Sequence, residues 1–115
     1  MQRVFIELPG FIKEWTRLEL TAQDMSLFQD WLLPNPKTGD LVKGTNGIRK
    51  VRWAHQGKGK RGGVRVFYLD LEKSGRLYFL AVIAKNESEN FTKAQLDVLR
   101  QMVSILKRDK NEKFI

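Results

Sequence analysis

Apolar and polar positions alternate from Arg3 to Leu8, with Val4, Ile6 and Leu8 on one side. That period of two predicts an opening strand. Pro9 and Gly10 break it. From Phe11 the period changes, and Phe11, Ile12, Trp15 and Leu18 recur at helical spacing. Thr21 and Asp24 form an N-cap signal for a second helix. Its apolar stripe is Met25, Phe28, Trp31 and Leu32. Pro34 and Pro36 end it, because proline cannot continue a helix and constrains the residue before it. The two helices are expected to form a hairpin packed on a sheet.

Thr38 to Gly47 reads as a loop and Ile48 to Trp53 as a short strand. Ala54 to Gly63 is a glycine-rich loop. Val64 to Leu71 is rich in β-branched and aromatic residues and predicts a strand. Glu72 to Gly75 is a tight turn. Arg76 to Ala84 is almost continuously apolar, as in a central strand covered on both faces. Thr92 and Gln95 resemble a capping box that opens a last helix, with Leu96, Leu99, Met102, Val103 and Leu106 inward. Lys107 to Lys113 reads as a polar, frayed tail. The order is β-α-α-β-β-β-α, and short turns make the last three strands an antiparallel meander. The expected class is α+β: a small antiparallel sheet with an N-terminal helical hairpin and a C-terminal helix, in one domain over residues 1–115.

Composition removes several classes of function. The chain has no cysteine, which excludes disulfide scaffolds, thiolate metal sites and cysteine nucleophiles. That composition fits a reducing compartment. Met1 to Gly10 carries Arg3 and Glu7 and does not resemble a signal peptide. No run approaches the roughly 20 apolar residues of a membrane span. A cytoplasmic protein that does not enter membranes is expected.

Charge changes the picture more. The net charge is +8. Between Leu41 and Arg65 stand Lys43, Arg49, Lys50, Arg52, Lys58, Lys60, Arg61 and Arg65, with no Asp or Glu among them. Those eight cations equal the whole excess, so the rest of the chain is neutral. A one-sign block inside a folded chain points to a polyanion, and nucleic acid is the expected partner.

Within Arg49-Lys50-Val51-Arg52-Trp53, period two puts Val51 and Trp53 on one face and Lys50 and Arg52 on the other. Adjacent cations on one sheet face repel, so packing does not account for them, whereas a bound phosphate backbone does. The loop Gln56 to Arg65 alternates glycine and cations and can approach a phosphate closely. It lacks the Walker pattern, which argues against nucleotide hydrolysis. Arg65 begins a strand, and a hairpin brings it near Lys50 and Arg52. Their register stays open, because Gly62-Gly63 can host a bulge. Lys85 ends the apolar strand and can join the same edge. His55 is the only histidine, a loop residue and a candidate for proton transfer. One histidine and scattered carboxylates offer no metal-ligand spacing, so no metal is expected.

The runs Gly47-Ile-Arg-Lys-Val-Arg-Trp53 and Gly57-Lys-Gly-Lys-Arg-Gly-Gly-Val-Arg-Val-Phe-Tyr68 resemble the HigB branch of the RelE/ParE toxins. Asn35-Pro36, Gly39-Asp40 and Lys85-Asn-Glu-Ser88 match as well. The resemblance covers nearly the full chain. It implies a RelE-like fold and a type II toxin that enters the ribosomal A site and cuts mRNA. It further implies neutralisation by a cognate antitoxin, often one with a helix-turn-helix. It aligns Lys50, Arg52, Arg65 and Lys85 with the basic catalytic positions of such enzymes. Many relatives place an arginine and then a tyrosine after the apolar strand, where this chain has Lys85-Asn86 and then Phe91-Thr92.

The implied chemistry is attack of a ribose 2′-hydroxyl on the adjacent phosphate, without metal or cofactor. It needs a base, cations for the pentacoordinate oxyanion, and an acid for the departing 5′-oxygen. Lys50 is then the expected base. Arg65 suits charge stabilisation, because a guanidinium grips phosphate oxygens in pairs. Arg52, Lys43, Arg49, Lys58, Lys60 and Arg61 would hold flanking phosphates and ribosomal RNA. Two other readings stay open: a gyrase-directed toxin of the ParE branch, and a non-catalytic RNA- or DNA-binding module. The cluster of Lys50, Arg52 and Arg65 counts against the first. The second is disfavoured because the strand aromatics interleave with aliphatics as core residues do, where single-strand platforms expose them.

Overall fold

A computed structural model describes residues 2–54, 63–84 and 91–112. Strand β1 (Val4–Glu7) leads into helices α1 (Pro9–Arg17) and α2 (Ala22–Leu32). Then come β2 (Asp40–Leu41), β3 (Ile48–Trp53), β4 (Val64–Leu71), a 3₁₀ turn (Glu72–Ser74), β5 (Arg76–Ala84) and α3 (Lys93–Glu112). The strands make one sheet in the order β1-β5-β4-β3-β2. Strands β2 to β5 pair antiparallel, as the short turns require. The sheet is nevertheless mixed, because β1 runs parallel to β5, with Val4 opposite Arg76 and Glu7 opposite Phe79. The long path through the hairpin and three strands permits that parallel return.

Local chemistry sets the helix ends. Pro9 does not merely end β1. It opens α1 at a position whose N–H would lack a helical partner anyway. The Thr21 hydroxyl accepts from the Asp24 amide (3.0 Å), and the Asp24 carboxylate accepts from the Thr21 amide (2.8 Å). Thr92 and Gln95 make the same reciprocal pair at the start of α3. The helix continues through the expected tail to Glu112. Its cations reach back to the 42–47 turn: Arg100 donates to the Gly44 carbonyl and Lys107 to the Asn46 carbonyl. No helix among the described residues is long and apolar enough to cross a membrane.

Helices cover both faces of the sheet. On one face Phe11, Trp15, Met25, Phe28 and Leu32 of the hairpin pack on Val66, Tyr68, Leu77 and Phe79. The predicted stripes are wider than the buried surface: Ile12 is 46% and Trp31 48% exposed. On the other face Leu99 and Val103 of α3 pack on Ile48, Phe67, Leu69, Leu71, Tyr78 and Leu80. Strands β4 and β5 are thus buried twice, which explains their unbroken apolar runs.

One charged group is built into this frame. Arg3 donates from Nε to Asp70 Oδ1 (2.6 Å) and from Nη2 to Oδ2 (3.2 Å), tying the first residues to β4. Lys37 adds a third contact to Oδ2 at 3.1 Å. The Arg3 and Asp70 side chains are 4% and 1% exposed. Burial alone would raise the Asp70 carboxyl. The hydrogen bonds from Arg3 and Lys37 outweigh it and hold the group below the ordinary carboxylate range.

Candidate functional site

Strands β3 and β4 pair in continuous register, with Trp53 opposite Val64, Arg52 opposite Arg65 and Lys50 opposite Phe67. Residues directly opposite share a face. Lys50, Arg52 and Arg65 therefore stand on the α3 side of the sheet, while Val51 and Trp53 join the core under the hairpin. Gly62, where a bulge could sit, lies outside the described residues; within β4 a register shift lies between Phe67 and Tyr68, against β5. Gly63 takes φ +74° beside the Trp53 carbonyl, where a side chain would collide.

Arg52 and Arg65 form a like-charge pair directly across two strands, an arrangement that destabilises a sheet on its own. They line a cavity of ≈ 210 Å³ with Lys50, Val51 and Asp40. Among the described residues none of these cations makes an ion pair, and Arg65 Nη1 is buried without a hydrogen-bond partner. A buried guanidinium nitrogen left unpaired costs more than a hydrogen bond contributes. An anion seated there would satisfy it. Among the described residues no three His, Cys, Asp or Glu side chains come together as a metal site.

The other expected site residues divide. Lys43 is exposed on the turn that follows β2, and it does not line the cavity. Arg49 points to the opposite face. Its Nη1 donates to the carbonyls of Gly39 (2.8 Å) and Lys37 (3.2 Å), so it holds a loop. His55, Lys58, Lys60, Arg61 and Lys85 lie outside the described residues.

Asp40 was not among the expected site residues. It sits on β2 directly opposite Lys50. A two-residue strand has no legible period. The available signal was that Asp40 is the last acid before the acid-free basic window. Its placement is tightly built. The buried Tyr68 hydroxyl donates to the Pro36 carbonyl (2.8 Å) and accepts from the Gly39 amide (3.0 Å). Burial pushes that hydroxyl's pKa up. A Cβ on Gly39 would come within 2.8 Å of the Lys50 carbonyl and 2.9 Å of the Tyr68 hydroxyl, so only glycine fits there.

A sequence profile described as the RelE toxin of the RelE / RelB toxin-antitoxin system matches residues 39–114. The chain belongs to the RelE toxin family. The matched span begins at Gly39, beside the cavity's carboxylate, and includes every residue that lines the cavity. Solved structures share the fold of this RelE-family chain. A double arginine-to-alanine mutant of E. coli RelE in the free state matches with a TM-score of 0.56 at 15% identity, over 76% of this chain and 88% of that one. RelE in the intact E. coli RelBE toxin–antitoxin complex matches with 0.53 at 15% identity, over 76% and 99%. At such identities the likeness establishes architecture, and the chemistry must be argued from this chain's own residues.

Proposed function

We propose that this RelE-family chain is a ribosome-dependent mRNA endoribonuclease of the HigB type, the toxin of a type II pair. The observation that supports this most is the cavity in which Lys50, Arg52 and Arg65 converge with Arg65 Nη1 unpartnered. A phosphodiester is the anion that suits it. Two guanidinium groups can grip its non-bridging oxygens and stabilise the charge that builds when a ribose 2′-hydroxyl attacks phosphorus. Lys50 is the proton-transfer candidate, and Arg52 serves neighbouring phosphates as well. Lys58, Lys60 and Arg61, outside the described residues, would add phosphate contacts to the RNA or the ribosome. The family membership supports a cognate antitoxin that covers this surface, and a cytoplasmic setting.

Induced expression should halt translation and leave mRNA ends that map within codons. The purified chain should cut mRNA on programmed ribosomes, and replacing any divalent ion that the ribosome does not itself need should leave the rate unchanged. Intact mRNA together with inhibited gyrase supercoiling would overturn the reading in favour of a ParE-like toxin.

A further inference from the structure

Resting on the ribonuclease reading above, we infer that Asp40 is the catalytic base, with Lys50 as the acid. Among the described residues Asp40 is the single carboxylate lining the cationic cavity, and it is exposed to whatever binds there. Among the described residues it has no ion-pair partner, although its register partner is a lysine. A negative charge in a site for a polyanion weakens binding. A carboxylate that only filled space would be better replaced by an amide. This one is also held in place. The residue before it is fixed from both sides, through its amide by Tyr68 and through its carbonyl by Arg49. Its neighbour Gly39 is wedged against β3. A preorganised carboxylate beside a cationic phosphate cradle is what proton abstraction from a ribose hydroxyl requires.

The step balances without a further reactant. The Asp40 carboxylate takes the proton of the 2′-hydroxyl as its oxygen bonds to phosphorus. The bond from phosphorus to the 5′-oxygen breaks, and the Lys50 ammonium gives that oxygen a proton. The products are a 2′,3′-cyclic phosphate and a 5′-hydroxyl. The proton on Asp40 then returns to Lys50 through solvent, which restores both groups. Lys50 acts in this scheme as acid, where the reading of the sequence expected a base.

The test is single-turnover cleavage on mRNA-programmed ribosomes, against ribosome concentration and pH, for wild type, Asp40→Asn and Asp40→Glu. Asp40→Asn should lower the saturating rate by about 10²–10⁴-fold. Its ribosome affinity should hold or rise, because a negative charge has gone. A merely structural role would weaken both together. The acid limb of the pH–rate profile should vanish in Asp40→Asn, and Asp40→Glu should restore part of the rate together with that limb. Asp40→Asn cutting at the wild-type saturating rate would overturn the assignment while leaving the ribonuclease reading intact. A wild-type chain that cuts no RNA would overturn both.

Discussion

Strand β4 carries a charge near each end, and the fold treats the two in opposite ways. Asp70 is enclosed and satisfied, with a two-pronged guanidinium from Arg3 and an ammonium from Lys37 on its oxygens. Arg65, five positions earlier, faces Arg52 across the sheet and keeps a buried nitrogen unpaired among the described residues. The same strand thus shows that this chain can neutralise a buried charge when stability is the only demand. At the Arg65 end no described α3 side chain lines the cationic cavity, which lies beside the packed part of that face. Repulsion left in place within a folded sheet is a cost that a bound anion would remove.

The largest effect should come from breaking the satisfied end. Asp70→Asn leaves the Arg3 guanidinium buried without its counter-charge and should lower stability by about 3–5 kcal/mol, measured by urea unfolding. It should leave the cavity's chemistry intact in whatever fraction stays folded. The pH dependence follows the same pair. Asp70 titrates lower in the folded chain than in the unfolded one, so its contribution is complete above the unfolded pKa and is lost as pH falls through the folded one. Stability should therefore drop below about pH 4, and Asp70→Asn should flatten that drop.

Breaking the unsatisfied end should do the reverse. Arg65→Ala removes a repulsive contact and should keep or raise the melting temperature. It should also abolish growth arrest and slow cleavage by about 10²–10³-fold. A fully toxic variant would remove Arg65 from the site. Tyr68→Phe lies between the two ends and tests whether the loop before β2 is held for function. The loss of a buried hydroxyl with two partners should cost about 1–3 kcal/mol. Cleavage by the folded protein should also fall as Asp40 loses its placement, to be read as a drop in saturating rate. The smallest effect on rate is expected from neutralising Lys58, Lys60 and Arg61 together. Ribosome binding should weaken, and its salt dependence should flatten by roughly 0.7–0.9 per lost phosphate contact, with the saturating rate nearly unchanged. A triple variant that binds normally but has lost its rate would make that loop catalytic.

The periodicity of the chain was enough to locate β3, β4 and β5 at their observed limits, because burial on one or both faces writes itself directly into residue choice. The Thr21 and Thr92 caps were legible for a similar reason: each is a local hydrogen-bond pattern four residues long. The segregation of charge into Leu41 to Arg65 was likewise a property of the sequence alone. Which cations would act together was not. Lys50 and Arg49 are neighbours with the same charge, yet the pleat sends one to the cavity and the other to a loop carbonyl. The alternation was readable, but which part of the sheet α3 covers was not. Asp40 shows the limit most clearly. Its strand is two residues long and has no pattern of its own, and its position opposite Lys50 follows from Tyr68, 28 residues later in the chain, reaching back to Pro36 and Gly39. Contacts between residues so far apart are set by the packing of the whole sheet, so only the tertiary structure could bring that carboxylate to the cations.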